Sequence, residues 1–450
     1  MNSGYAKPLF QCGCGKNRRF LLCFILWWVG MFCFLPSESG AAENLYTALS
    51  PEWGGHLRFR GNVTWQAEDS LYQPVGTGAY YDASGEFRLK NKLFLGQWGV
   101  LETHYEAVLA GGDTRRKGRE LAALSDGMLT GELQLTGVRP INDDRRFMDL
   151  TGVIDESDSY ALYHRLDRLS LTLNPEWGNI RIGRQALTWG NGMLFNPMDL
   201  FNPFSPTDIV RDYKVGDDMV TAQFSVDSVG SFQFLYIPRR NPENSDVEWD
   251  SSALAGKLRF SGGTTEFDIA VGRNYENYVI GLGSAGYIGN AAWRADAVWT
   301  FLPAESDRTG YAAFVANLDY SWIWWQKNFY GVAELYYNGL GEDAYADALS
   351  DPDLTAALER GEIFALGKLY LAGQFNVELH PLFNFYLTAI TNFRDPSGVL
   401  QPRCVWSVTE NTEAILGGIS VTADRIRNTA DSGFPARIFP QHRATAFISG

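Results

Sequence analysis

The charged residues with the most regular spacing stand at every second position and alternate with apolar residues. Side chains spaced in this way lie on one face of a β-strand. A row of charges on one face predicts an electrostatic surface, such as the wall of a water-filled lumen, and not a cluster that transfers protons. We expect the lumen-lining residues to be Arg58, Arg60, Arg88, Lys90, Lys92, Glu102, His104, Glu106, Arg181 and Arg184.

Sequence signals for enzyme chemistry are weak. The chain has no Gly-x-Ser-x-Gly elbow and no phosphate-binding loop. A barrel enzyme could use His164, on the apolar face of its strand, but nothing near it marks it as activated, and we interpret it as a bulge residue. The histidines have no metal-ligand spacing: His56, His104, His164, His380 and His442. We therefore expect no metal site, and we also expect no catalytic residue and no cofactor.

The N-terminus has the features of an export signal. Basic residues precede the apolar run 20–35, and small residues follow it. We expect residues 1–42 to be a cleaved signal peptide. The alternative is a retained anchor, although the run is shorter than the roughly 20 residues that span a bilayer. After cleavage Cys404 would be the only cysteine, so no intramolecular disulfide could form.

The composition excludes several classes of protein. Of the 38 basic and 52 acidic residues, cleavage would remove four and one, which leaves 34 and 51 and a net charge of −17. A chain this acidic is a poor nucleic-acid binder. With 46 Gly, 14 Trp, 21 Tyr and 28 Phe, turn-rich β structure is favoured over disorder or a helical bundle. Because no later apolar stretch could form a spanning helix, entry into a membrane would require a closed barrel.

Alternation of apolar and polar residues recurs along the chain, for example in residues 56–67, 293–301 and 329–337. The links between such stretches alternate between tight turns and long loops, and eight turns with nine loops would connect 18 strands, within a range of 16 to 18. A soluble β-sandwich or propeller also alternates, but the connector lengths separate the two cases. We predict an all-β fold, a transmembrane antiparallel β-barrel over residues 56–450, with short periplasmic turns, long outer loops and a periplasmic N-terminal segment at 43–55.

Tight turns also predict which inner charges face each other across neighbouring strands. A change of parity near Asp167 predicts a β-bulge. Inner charges are mainly basic on the early strands and acidic on the later ones, at Asp296, Asp319, Glu334 and Glu378. Opposed walls would create a transverse field, and the alternative is that these charges only stabilise the wall. The expected pairs are Arg88–Glu106, Lys90–His104, Lys92–Glu102, Arg259–Glu266 and Lys257–Asp268.

Two outer loops have distinctive sequences. Repeated Asn-Pro and Pro turns with aromatic residues predict a compact loop at 190–217. Because this loop follows the lumen-facing Arg184, we expect it to fold into the pore as a constriction, and the alternative is an outward-packed cap. Segment 343–361 has helical character with a start near Asp351, and we expect it to cap the outer mouth. The charged residues of the constriction-loop candidate are Asp199, Asp208, Arg211, Asp212 and Lys214.

The series Gly183-Arg184-Gln185, Trp189-Gly190 and Asn196-Pro197-x-Asp199 adds a family resemblance. Together with the export signal and the strand pattern, it resembles bacterial outer-membrane channel proteins, especially alginate-export-like and related uncharacterised porin families. The architecture covers most of the mature chain and the motif covers residues 183–217. The resemblance implies diffusion or export through a barrel pore. The heavily basic lumen of a dedicated alginate exporter is not matched, because acidic residues are interleaved.

We therefore expect a porin-like channel in the cell outer membrane for small polar solutes or an exported polymer. One alternative is a barrel sleeve that houses a partner, such as a multihaem cytochrome in an electron conduit. Haem would then belong to the partner, because the chain has no Cys-x-x-Cys-His. A barrel enzyme is the less favoured alternative. Expected partners are outer-membrane lipid and lipopolysaccharide, the barrel-assembly machinery and, for the sleeve, a periplasmic or extracellular protein.

Overall fold

A computed structural model describes residues 49–68, 70, 72–124, 142–203, 213–226, 230–343, 348, 350–395, 397–422 and 442–449. Two α-helices, α1 (Asp113–Leu124) and α2 (Pro352–Glu359), and a 3-10 helix (Gln73–Val75) are found in these residues. None of the described helices is long and apolar enough to cross a bilayer. The strands are β1 (Leu49–Gln66), β2 (Gly78–Leu95), β3 (Gly99–Gly112), β4 (Thr151–Glu156), β5 (Tyr160–Leu173), β6 (Gly178–Gln185), β7 (Asp217–Val226), β8 (Gly230–Ile237), β9 (Ala253–Gly262), β10 (Thr265–Asn274), β11 (Asn277–Ile288), β12 (Ala291–Phe301), β13 (Gly310–Trp324), β14 (Lys327–Asn338), β15 (Leu369–His380), β16 (Phe383–Asn392), β17 (Gly398–Thr409), β18 (Thr412–Thr422) and β19 (His442–Ser449).

Eighteen of the described strands form the wall of one antiparallel barrel. Each wall strand pairs with the next one in the chain, with β3 pairing with β5, and β19 pairs with β1 to close the wall. The short β4 pairs with β5 over Ala161–Arg165, whereas β6 pairs with the other end of β5, at Leu169–Leu173. The predicted transmembrane-type barrel architecture is therefore confirmed.

Alternation along the strands separates an apolar outer face from a polar inner face. On β1, Leu57 and Phe59 are 59% and 61% exposed, and Arg58 between them points to the half-buried inner side. On β14, the exposed Leu335 follows the buried Glu334. Large apolar side chains at every second outer position require lipid around them. The chain is a transmembrane β-barrel of the outer-membrane type.

The tight-turn end of the barrel carries a set of exposed tryptophans. Trp98, Trp177 and Trp325 stand in tight turns, and Trp53 lies near the start of β1 at the same end. Indole rings favour the boundary between lipid and water. By the usual arrangement of these barrels the tight turns are periplasmic and the long links are outer.

The predicted register between β2 and β3 is confirmed. Arg88 pairs with Glu106 and Lys90 with His104. The bulge is also confirmed, because the pairing of β3 with β5 passes from Arg168 to Leu166 and leaves Asp167 without an opposite residue. Because this strand has one extra residue here, side chains on both sides of the bulge reach the same face.

Two local predictions are corrected. β1 begins at Leu49, inside the segment 43–55 that was predicted to precede the barrel, because backbone pairing with β2 continues where the side chains no longer alternate. In the β9–β10 hairpin, Arg259 pairs with Asp268 and Lys257 with Ala270, not with the residues predicted. The turn is the two-residue Gly263-Thr264, shorter than expected, and the φ of 66° at Gly263 suits such a turn. The register moves by two residues, so the inner face is unchanged.

Candidate functional site

The link between β6 and β7 enters the barrel and reaches the far wall. We call its described residues, 186–203 and 213–216, the constriction loop. Its early part contacts Asp296 on β12 and Glu334 on β14, two carboxylates on the lumen face. Its late part contacts Glu86 on β2. Six strands separate β14 from β2 on one side of the wall and ten on the other. The loop therefore spans the lumen.

Glu334 holds the loop through consecutive backbone amides. The N–H groups of Met193 and Phe195 donate to its two carboxylate oxygens at 2.7 and 2.6 Å, and that of Leu194 donates at 3.1 Å. The side-chain amide of Asn317 adds a fourth donor at 3.2 Å. Consecutive N–H groups form a concave site for an anion. Among the described residues Glu334 has no cationic partner, so neutral donors carry the whole contact.

Asp296 holds the residues just before this point. Its carboxylate accepts hydrogen bonds from the backbone N–H of Asn191 at 2.5 Å and from the Asn191 side-chain amide at 2.7 Å. The preceding Gly190 has a φ of 89°, and a Cβ there would lie 2.1 Å from Oδ1 of Asn196. A side chain is therefore excluded at Gly190 by both backbone conformation and space.

The late part of the loop is attached to the wall of β2 and β3. The hydroxyl of Tyr213 lies 2.5 Å from Oε1 of Glu86 and 3.0 Å from Oε1 of Glu106. The guanidinium of Arg88 lies over the Tyr213 ring, 3.6 Å from its centre, which is a cation–π contact. Both ends of the described loop are thus fixed to lumen-facing side chains.

Aromatic packing makes the loop compact. Phe195 stacks on Tyr336 of β14 with ring centres 4.5 Å apart, and Trp189 meets Phe201 edge-on at 5.2 Å. These four rings are buried. Met193 is different, because its side chain is 44% exposed at the tip of the loop. Its sulfur lies 3.4 Å from Nη1 of Arg294 on β12, on the inner face of the wall.

An ion pair closes the loop on itself. Lys214 donates to the buried Asp199, and it also donates to the carbonyl of Leu187 at 3.1 Å. Burial raises the pKa of the Asp199 carboxyl to about 6, although the Lys214 ammonium favours the charged form. Of the predicted loop residues, Asp208, Arg211 and Asp212 lie outside the described residues.

The predicted lumen residues fall into two groups. Arg88, Glu106 and Arg184 are on the inner face but only 1%, 2% and 1% exposed, so the expectation that they line the water-filled lumen is wrong. Neighbouring charges and the loop cover them. The remaining predicted residues are partly or largely exposed on the inner face: Arg58, Arg60, Lys90, Lys92, Glu102, His104 and Arg181.

Buried charges of the early strands pair diagonally across the wall. Arg88 donates to the bulge residue Asp167 at 2.5 Å, while its nitrogen lies 3.8 Å from the facing Glu106. Glu106 accepts from Arg165 instead. Parity predicted the facing residues, but the bulge at Asp167 brings additional charges to the same face, and these form the shorter contacts.

Arg184 is the centre of a second buried network. Its guanidinium donates to Asp218 at 2.8 Å, to Asp143 at 3.1 Å and to the carbonyl of Met148 at 2.6 Å. The pKa of Asp143, in an outer link, is lowered because Arg184 and Arg146 outweigh the cost of burial. This network attaches segment 142–150 to the wall beside the loop. The sequence analysis missed Asp143 and Asp218, because nothing local connects them with Arg184.

The acidic wall predicted on the later strands is largely occupied. Asp296 and Glu334 bind the loop, and Asp319 pairs with Arg294. On the basic side, Lys90 and Lys92 have no ion-pair partner within 4.0 Å among the described residues. Lys92 nevertheless faces Glu102 across the β2–β3 pair, and Glu378 has no cationic partner among the described residues, so accessible charges of both signs remain on the inner face.

Comparison with known proteins gives similarity in structure only. No protein-family model matches the chain, and no curated protein sequence matches it. The solved structures that are similar include OccAB1 of Acinetobacter baumannii, with 9% identity, TM-score 0.48 and coverage of 88% of this chain and 95% of that chain. OccK5 (OpdH) of Pseudomonas aeruginosa has 10% identity, TM-score 0.48 and coverage of 89% and 97%.

A third similar structure is Wzi of Escherichia coli, an outer-membrane carbohydrate-binding β-barrel involved in capsule assembly. It has 10% identity, TM-score 0.46 and coverage of 91% of this chain and 86% of that chain. At this identity no residue of those proteins assigns a role to a residue here.

Proposed function

We propose that the protein is an outer-membrane channel for small polar solutes, with the constriction loop setting the size of its opening. The attachment of one loop to two distant parts of the lumen wall, at Glu334 and Glu86, is the observation that carries this proposal. A loop that only capped the outer mouth would not need anchors on two distant parts of the lumen wall.

The charges of the lumen support a preference for anions. Lys90 and Lys92 have no ion-pair partner among the described residues, whereas the buried Asp296 and Glu334 are occupied by loop amides. Although Lys92 faces Glu102, no carboxylate lies within 4.0 Å of either ammonium among the described residues, and such cations in a pore lower the electrostatic barrier for anions and raise it for cations. We therefore propose weak anion selectivity despite the acidic composition of the chain.

The sleeve alternative has less support. A sleeve must leave room for a folded partner along its axis, but the lumen here contains the constriction loop and segment 142–150, which reaches Arg184. Export of a polymer remains compatible with a channel of this design, provided that the polymer chain fits beside the loop tip at Met193.

Single-channel recording in a planar bilayer tests the proposal. We expect a steady conductance from the folded protein, and a larger one after deletion of residues 191–214. A matched control deletes residues 242–246, an exposed outer hairpin that has no contact with the constriction loop among the described residues. This control should keep the original conductance. Silence of all three proteins, each shown to be folded, would contradict the channel, and equal conductance in all three would contradict the constriction.

A further inference from the structure

The link between β14 and β15 forms a second inward-folded segment, which we call the lid: described residues 339–343, 348 and 350–368. Leu340, Leu354 and Ala357 are at most 1% exposed and pack against Tyr311, on the inner face of β13. Helix α2 belongs to this segment, and Asp351 caps it by accepting from the backbone N–H of Leu354 at 3.1 Å. The helix expected from the sequence, with its start at Asp351, is therefore confirmed.

The lid contacts the constriction loop through an apolar cluster. Ala365 of the lid is buried in the same cluster as Phe195 of the loop, together with Tyr336 and Tyr370 from the wall. Phe195 is also the residue whose backbone N–H binds Glu334. Movement of the lid would therefore remove packing from the part of the loop that holds it to the wall.

A polar contact joins the two segments at a second place. The side-chain amide of Asn274, at the outer end of β10, donates to Glu362 of the lid at 2.8 Å and to the carbonyl of Leu200 in the loop at 3.2 Å. The carbonyl oxygen of the same amide accepts from Arg239 at 2.8 Å, and Arg239 donates to the carbonyl of Phe201 at 3.1 Å. One amide thus links lid and loop.

Glu362 is a carboxylate in a cluster rich in arginine, where Arg145, Arg239 and Arg360 all favour its charged form. Arg239 and Arg360 lie on the ring of Tyr275, each 4.7 Å from its centre. Glu362 lies 3.4 Å from Arg360, and Asp217 lies 3.5 Å from Arg239. Loss of Glu362 would remove the carboxylate that pairs with Arg360 and leave Asp217 to both Arg239 and Arg146, which is unfavourable for groups partly shielded from water.

We propose that the lid and the constriction loop move as one gate, and that Glu362 is the positioning residue that locks them together. This inference rests on the proposed channel function for its physiological meaning. Its physical content is a coupling free energy: opening of the lid changes the opening equilibrium of the loop by the same factor as opening of the loop changes that of the lid.

The lock is tested by the accessibility of a buried thiol in the lid. Ala357→Cys in a Cys404→Ser background places a thiol at a position that is 1% exposed in the native residue. Maleimide labelling at constant pH should be at least about tenfold faster in Glu362→Ala than in Glu359→Ala, since loss of a charge-assisted hydrogen bond shifts a local opening equilibrium by this much or more. Glu359 is the matched control, an exposed carboxylate near the end of the same helix.

Coupling is tested in the reverse direction by loosening the loop. Glu334→Gln, far from the lid helix in the sequence, should also speed labelling of Ala357→Cys, and Glu362→Ala should raise single-channel conductance. Glu362→Gln, which keeps an acceptor for Asn274, should label at an intermediate rate. Folding of every variant is checked by the difference in gel mobility between heated and unheated samples.

Two results would overturn the lock: equal labelling of Glu362→Ala and Glu359→Ala, or no effect of Glu334→Gln on the lid thiol. Absence of conductance in every folded variant would instead refute the channel function. The labelling comparison does not depend on ion flow, so it would still decide whether lid and loop are coupled.

Discussion

Replacing Glu334 by Gln removes the negative charge that holds the constriction loop and changes little else in volume. The carboxylate offers two acceptor oxygens to Met193, Leu194 and Phe195, and both of the shortest contacts, 2.7 and 2.6 Å, go to different oxygens. A glutamine keeps one acceptor oxygen. At the position of the second oxygen it places an NH₂ group, which cannot accept a hydrogen bond from the N–H donor there. At least one charge-assisted hydrogen bond is lost, and the remaining one loses its charge.

The expected cost follows from this count. A hydrogen bond to a charged group contributes about 1.5–3 kcal/mol, so the attached state of the loop should lose roughly 2–4 kcal/mol. Since each 1.4 kcal/mol is a factor of about ten, detachment becomes roughly 30 to 1,000 times more frequent. Asp296 still binds Asn191, so we expect frequent excursions to a larger conductance rather than a permanently wide pore.

Single-channel recordings at fixed voltage measure both the level and the frequency of these excursions. Glu378→Gln is the matched control, because Glu378 is an inner-face carboxylate of β15 that accepts from Asn328 at 2.8 Å and has no contact with the loop among the described residues. If Glu334→Gln gives the same conductance level and noise as the wild type and Glu378→Gln, the reasoning about the anchor is wrong.

Two further predictions concern charge. The double variant Lys90→Gln, Lys92→Gln should shift the reversal potential in a salt gradient towards cation selectivity, because these ammonium groups have no ion-pair partner among the described residues; an unchanged potential would exclude them from the ion path. Burial raises the pKa of Asp199 to about 6 from 3.8. Since the folded-state pKa lies above the unfolded one, the contribution of this group is fully present below about pH 4 and is lost as the pH rises through about 6, a change of roughly 3 kcal/mol. The temperature at which the folded gel form disappears should therefore fall between pH 4 and pH 6.5 in the wild type by more than in Asp199→Asn, and parallel curves would contradict this assignment.

The features that could be predicted from the sequence are those that depend on parity and on short connections. The period of two placed Arg58 and Lys90 on the inner face, and a tight turn fixed the facing pair Arg88–Glu106. The change of parity at Asp167 predicted the bulge. The pair Arg88–Glu106 lies directly across a hairpin, and the inner face and the bulge depend on parity within one strand, so few alternative arrangements compete.

The β9–β10 hairpin marks the limit of that reasoning. Parity distinguishes inner from outer residues, but a shift by two leaves it unchanged, so Arg259 could face Glu266 or Asp268 equally well. The length of the turn decides between them, and Gly263-Thr264 forms the shorter turn. The sequence alone did not distinguish a two-residue from a four-residue turn at this site.

Contacts between distant segments could not be predicted from the alternation of apolar and polar residues. Glu334 was predicted as a member of an acidic wall, but its partners are backbone amides of a loop some 140 residues earlier. Every residue type except proline supplies a backbone N–H, so such a partner leaves no mark in side-chain chemistry. The partners of Arg184 were missed for a different reason: the parity of Arg184 predicted the inner face correctly, but its carboxylate partners Asp143 and Asp218 are separated from it by long links, and they remove it from water.

This difference changes how the charges of the barrel act. Two formally opposed walls would produce a transverse field if water reached both. Once Asp296 and Glu334 are used to bind the loop, their charge stabilises the constriction, and the field in the remaining passage depends on the other accessible charges, among them Lys90, Lys92 and Glu378. Asp296 and Glu334 therefore hold the loop in place and act less on passing ions. The same two carboxylates influence both the position of the loop and the selectivity of the pore. Neutralising Glu334 should therefore affect pore size more than ion selectivity, whereas neutralising the two lysines should do the reverse.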